Sequence, residues 1–267
     1  MQRLLFQRVH FERNVLATLL PAIAGAVNAS GFFAVGTYTS HMTGLVSRVG
    51  DELAQGHFWI GLRVLIFVGS FMLGAMMATW QILRARKRNQ PAFWRPLLLE
   101  AFTLLGFATF TVSTEGRVHL DSFSMTALIC FSMGAQNALV SKLSGARIRT
   151  THLTGVSTDI GIELMKTLLR WRDRSSGRTI LQRIRSIAHV ASDVESRHLR
   201  LHLRIFFCCL LGATSGPALY LMVGHWAMLI PVAALCGLAL FDYRFGLGSL
   251  TVLEHAEGSA DPSAAGR

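Results

Sequence analysis

Charge is what this chain has least of. Asp, Glu, Lys and Arg make up 15% of its 267 residues, where a soluble domain carries about 25%. With 51% hydrophobic residues and a mean hydropathy of +0.42, that scarcity excludes an ordinary soluble domain. Cysteine is sparse too. Cys130, Cys208, Cys209 and Cys236 all lie inside apolar runs and none has CxxC spacing, so neither a disulfide framework nor a thiolate metal centre is expected. No P-loop, GxSxG elbow, HExxH or EF-hand loop occurs, which argues against ATP-driven pumping by this chain alone. No cofactor and no metal are expected. Acidic residues are outnumbered 15 to 26, for a net charge of +11. The basic excess clusters in loops between apolar runs, the pattern of positive-inside topology. The partner this implies is a lipid bilayer and not nucleic acid.

Long apolar runs are what the chain has instead. A helical span needs roughly 20 mostly apolar residues, and six runs approach or reach that length: Val15–Gly36, Phe58–Leu83, Leu97–Val112, Phe123–Val140, Ile205–Val223 and Trp226–Phe241. The first follows a basic segment, residues 1–14, and has the look of a signal sequence. Its "GAVNA" at Gly25–Ala29 returns as "GAQNA" at Gly134–Ala138 in the fourth run, so it is read as part of the fold. Residues Arg84–Arg95 hold five basic side chains and no acid, and Val140–Arg204 hold thirteen basic against five acidic. Placing both in the cytoplasm requires both termini there as well, with 114–122 outside.

A second repetition fixes the plan. "TSHMTGLVSRVG" from Thr39 and "TTHLTGVSTDIG" from Thr150 share five of twelve residues, and five more are conservative. Each half reads as span, GAxNA, HxTG, a short helix (Val46–Gln55 or Val156–Trp171), span, span. The short helices carry Arg48, Asp51 and Glu52, or Asp159, Glu163 and Lys166, and are expected not to cross. The expected fold is an all-α polytopic membrane protein with six transmembrane helices arranged as two inverted three-helix repeats, residues 15–113 and 123–243. The second repeat contains a basic cytoplasmic insert at about 172–204, whose Ile180, Leu181, Ile184 and Ile187 share one face of an amphipathic helix. Residues 244–267 are expected to be a disordered tail. Matches such as "FMLGA" at Phe71–Ala75 with "CLLGA" at Cys209–Ala213 are short and carry little weight.

Inverted repeats are a recurrent plan in secondary transporters, with sites near the midplane at the repeat interface. The candidate path residues are Asn28, His41, Thr43 and Gly44 in the first half, and Gln136, Asn137, His152, Thr154, Gly155 and Asp159 in the second. An amide in hydrocarbon requires a partner, so Asn28 and Asn137 hold either a neighbouring helix or a solute. His41 and His152 are candidate proton gates, or else caps of the short helices. Thr43 and Thr154 resemble hydroxyl N-caps, with Gly44 and Gly155 allowing close approach. Arg48 and Asp159 form a possible cross-repeat pair. Glu100 and Arg63 sit near span ends and are expected to snorkel. A secondary transporter or exporter of a small solute, proton-coupled, is the expected function, and no enzyme activity is expected. A scaffold contacting lipid or a partner through 172–204 is the alternative. An intramembrane hydrolase using His152 and Asp159 lacks an identified nucleophile.

At these residues the chain resembles the YoaK-type family of bacterial six-span membrane proteins, whose defining domain has no assigned function. "GAVNASGFFAVGTYTSHMTGLV" and "GAQNALVSKLSGARIRTTHLTGVSTDIG" carry the resemblance, which covers roughly residues 14–243. It implies a bacterial inner-membrane protein and supplies no substrate, cofactor or catalytic residue. The family commonly has Asn after "HMTG", and here Leu45 stands in that place.

Overall fold

The computed structural model describes residues 2–113, 122–143, 153–175 and 196–246, and every regular element among them is helical. In chain order these are α1 (Gln2–Val35), α2 (Met42–Ala54), α3 (Phe58–Lys87), α4 (Trp94–Ser113), α5 (Ser122–Leu143), α6 (Leu153–Ser175) and α7 (Ser196–Val223). A 3-10 turn, Gly224–Met228, then leads into α8 (Leu229–Phe245). Residues 114–121, 144–152, 176–195 (where the amphipathic helix is expected) and 247–267 lie outside the described residues.

Four apolar stretches are long enough to cross a bilayer: Thr18–Val35, Phe58–Lys87, Ser122–Lys142 and His198–Phe245. The last runs 48 residues and is divided by the 3-10 turn into α7 and α8. The protein is therefore a membrane-spanning helical protein. Its outer surface agrees: Trp59, Phe102 and Met222 are 79%, 74% and 80% exposed, a cost in water of the order of 1.5–3 kcal/mol for each large apolar side chain that lipid removes. Helix α2 is different. Its 13 residues extend only about 20 Å at 1.5 Å per residue, short of the ~30 Å hydrocarbon layer. Helix α6 has 23 residues, but Asp159, Glu163, Lys166, Arg170 and Arg172 interrupt its apolar character.

Turn chemistry sets several boundaries. Gly36 takes φ +71° after α1, its N–H donating to Phe32 C=O at 2.8 Å, and Gly56 takes φ +79° after α2. Both lie in the left-handed region that a Cβ disfavours. Two expected boundaries move. Helix α7 is described from Ser196, ahead of the apolar run that begins at Ile205, and His202 on this extra length reaches Glu163 of α6. The sixth helix starts at Leu229, since Trp226 belongs to the 3-10 turn.

The helices pair across the two halves of the chain. α1 lies along α7, α3 along α5, and α4 along α8, while α2 packs on α3 and α6 on α7. Glycines make the long pairings possible. A Cβ at Gly25 would overlap the Cys209 carbonyl, and one at Gly212 the Ala22 carbonyl. At the other seam a Cβ at Gly134 would overlap the Phe71 carbonyl, and one at Gly74 the Phe131 carbonyl. With no side chains between them, the backbones approach closely enough for dispersion and weak Cα–H···O contacts, the usual means of helix association in lipid. Gly212 meets Ala22 and Gly216 meets Ala26, so α1 and α7 run in the same direction. Around these seams Leu20, Val27, Leu97, Leu104, Phe107 and Ile129 form the core.

Candidate functional site

The first HxTG motif is a turn held from behind by α1. Asn28 Oδ1 accepts the Ser40 N–H at 3.0 Å, tying the loop after α1 back to the helix two turns earlier. Thr39 beside it is fully buried, its hydroxyl without a hydrogen-bond partner. His41 is the N-cap residue of α2, and its carbonyl accepts the first helical bond from Leu45 N at 3.0 Å. Its imidazole lies back over Gly44, occupying the space that a Cβ there would need. With glycine there the ring can rest over the helix start without moving, while the ring itself makes no capping hydrogen bond.

Several expectations are corrected here. Thr43 does not cap α2: the helix begins one residue before it, and its side chain is exposed. Thr154 is the second residue of α6 and also exposed, its carbonyl accepting Thr158 Oγ1 at 2.9 Å. Arg48 does not pair with Asp159. Its guanidinium lies 3.4 Å from Glu52, one turn along the same helix, whereas Asp159 lies 4.0 Å from His202 of α7. Glu100 does not snorkel: it is 1% exposed, because α4 turns that face toward the core. His152 lies outside the described residues.

Beneath the motif, α2 buries Leu45 against Val64 and Cys130, with Met42 and Val49 packed alongside. An asparagine in place of Leu45 would put an amide in this apolar contact. The equivalent residue of α6, Val156, is also buried, and Gly155 before it is half-buried.

A matched pair of residues lies just past the repeated dodecapeptides. Glu52 and Glu163 each stand eleven positions after the motif histidine. Glu52 Oε2 lies 3.1 Å from His57 Nδ1, at the start of α3. Glu163 Oε2 lies 3.2 Å from His202 Nδ1 on α7. In each half, then, the short helix presents a carboxylate to a histidine of the next long helix. The second pair is the more enclosed, with side chains 20% and 12% exposed. A comparison extended two residues beyond Gly50 and Gly161 reveals the two acids. The histidines occupy different helical positions and leave no trace in it.

At the junction of the halves, α1 meets α5. Gln136 is fully buried and its Nε2 donates to the Leu20 carbonyl of α1 at 3.3 Å, while its Oε1 has no partner. Asn137 is half-buried, and its carbonyl accepts Ser141 Oγ at 2.8 Å. Asp242, absent from the expected site because the sixth run ends just before it, is buried and organises α4. Its Oδ2 accepts the N–H groups of Phe93 and Trp94 at 2.9 and 2.7 Å, satisfying two donors at a helix start.

The candidate residues do not converge on one cavity. A cleft of about 260 Å³ opens between α1, α7 and α8. Ala22, Ala26 and Ser30 line one side, Gly212, Ser215 and Gly216 another, and Pro231 the third. None of the nine candidates among the described residues lines it.

The chain belongs to the family described as "Protein of unknown function (DUF1275)", whose model matches residues 16–241. No curated protein and no solved structure matches it.

Proposed function

With membership of that family as premise, we propose that the protein is a secondary transporter or exporter of a small solute, proton-coupled and built from two inverted three-span repeats. One observation carries this reading: each half lends a long helix to the other, and both exchanged pairs cross on repeat-related glycines. α1 on α7 and α5 on α3 are the same contact made twice, Gly25 corresponding to Gly134 and Gly212 to Gly74. The parallel course of α1 and α7 supports an odd number of crossings between them, as α3, α4 and α5 would make. Neither α2 nor α6 meets the length and polarity of a span; with α4 taken as a crossing beside the four long apolar stretches, this supports three crossings per half and hence opposite orientations.

The path is read along the α1–α5 junction marked by Gln136, with Asn28 and Asn137 as further amides on those two helices, and with the HxTG regions of the two halves (His41, Thr43 and Gly44; His152, Thr154, Gly155 and Asp159) at its ends. The finer resemblance to YoaK-type proteins and the basic end formed by Arg84, Arg86, Lys87 and Arg88 support a bacterial inner membrane with both termini cytoplasmic.

Alternating access supplies the test. Gln136→Cys in a cysteine-free background is expected to react with a membrane-impermeant thiol reagent added to either face of the membrane. Reaction from neither face would mean that the junction never opens, and the transport reading would fall.

A further inference from the structure

We infer that Glu100 is a proton-binding site within the membrane, the group through which a proton gradient acts on this protein. It sits about 9 Å along α4 from Trp94, at 1.5 Å per residue, in a helix rich in Leu and Phe. Its residue is 1% exposed, and among the described residues neither carboxyl oxygen has a hydrogen-bond partner. Thr103, the nearest hydroxyl on its own helix, donates instead to the Glu100 backbone carbonyl at 2.8 Å.

Among the described residues, the elements packed on α4 supply no counter-charge. On α8, Asp242 is committed to the start of α4, and Cys236, Tyr243 and Arg244 are exposed. On α3, Arg63, Arg84, Arg86 and Lys87 are exposed, and Arg86 stands over the Phe93 ring at the bundle edge. On α5, Cys130 is buried and uncharged beside Leu45, and Lys142 is exposed; His225 of the 3-10 turn is half-buried beside Tyr220. An ionised carboxylate without partner or counter-ion in this setting costs several kcal/mol at the least, so the resting carboxyl holds a proton. An ionisable group at such a place in a span points to a functional role.

A second observation points the same way. The helices packed on α4 carry further buried oxygens with no partner: Gln81 Oε1 on α3, and Ser132 Oγ and Gln136 Oε1 on α5. Buried polar atoms without a partner are rare and call for an explanation, of which water or an ion bound at them is one. Water entering when the bundle opens would solvate them and let the Glu100 proton leave toward the nearer face. The proton is transferred from the carboxyl oxygen to water, leaving the carboxylate, and the same bond re-forms on closing.

The role of this proton in coupling rests on the transport reading; its presence on Glu100 does not. Infrared spectra of the full-length protein in nanodiscs, compared from acidic to alkaline pH, test it without any solute. The wild type is expected to show an un-ionised carboxyl C=O band at neutral pH that fades reversibly as pH rises. Glu100→Gln is expected to lose that band, and Glu100→Asp to keep it at a shifted frequency, which preserves the test should the glutamine variant fail to fold. Identical spectra for wild type and the substituted protein, or a band unchanged at every pH at which the protein stays folded, would overturn the assignment. A titrating band together with a Gln136→Cys unreactive from both faces would leave the proton site standing and remove the transporter.

Discussion

The two glycine seams share a design and differ in their surroundings. The seam between α3 and α5 is closed: α2 covers it, Leu45 fills the space against Val64 and Cys130, and α4 packs along α5. The seam between α1 and α7 is open on one side, because α8 touches α1 over only a short length and leaves the cleft lined by Ser30 and Ser215. Both helices of the open seam also carry an interior proline, Pro21 and Pro217, each removing one backbone hydrogen bond. One crossing is thus braced and the other is loosened. A repeated plan with unequal bracing gives the bundle a fixed side and a side with room to move.

This difference can be tested in order of effect. The largest is expected at the braced seam. Gly134→Val sets branched carbons against the Phe71 carbonyl, where backbone and not a flexible side chain is in the way. A loss of about 3 kcal/mol or more is expected, at the upper end of overpacking costs. Gly25→Val at the open seam meets a similar obstacle from Cys209, but α7 can yield toward the cleft, so its melting temperature in detergent is expected to fall less. Equal losses would erase the distinction between the seams.

Leu45→Asn comes next. It exchanges an apolar contact for a buried amide and is expected to cost about 2–3 kcal/mol by thermal unfolding. A neutral result would mean that α2 is not the brace. Asp242→Asn is expected to cost about 1–2 kcal/mol, since a neutral amide oxygen receives the Phe93 and Trp94 donors less strongly than a carboxylate; hydrogen exchange at the start of α4 would report it directly. The smallest effect is expected from the two acid–histidine pairs. Glu52→Gln is expected to change stability by less than about 1 kcal/mol, as partly exposed ion pairs do. Glu163→Gln is expected to change it slightly more, because His202 is the better shielded histidine.

What could be read in advance follows the same physics. Helical content and the apolar stretches were legible because lipid demands long runs with few charges. The repeat was legible where polar residues made coincidence improbable, as in HxTG. It was weakest where it mattered most to packing: "FMLGA" and "CLLGA" look like chance among small apolar residues, yet Phe71, Gly74, Cys209 and Gly212 are the crossing points. Glu100 was misplaced because its distance from the helix start says how deep it lies along α4 and nothing about which way it faces. Thr43 was misplaced by one turn of logic. The helix begins at Met42 with His41 as its N-cap, the His41 carbonyl accepting the Leu45 N–H, so the threonine falls inside the helix.

The central claim is that the two halves face opposite ways across the membrane. Single cysteines at His41 and His152, in a cysteine-free background, can be labelled with an impermeant thiol reagent in intact cells and in inside-out vesicles. The inverted arrangement requires His41→Cys to label from outside and His152→Cys from inside. Labelling of both from the same side would contradict it, making the repeat parallel and the paired glycine seams a device of packing alone.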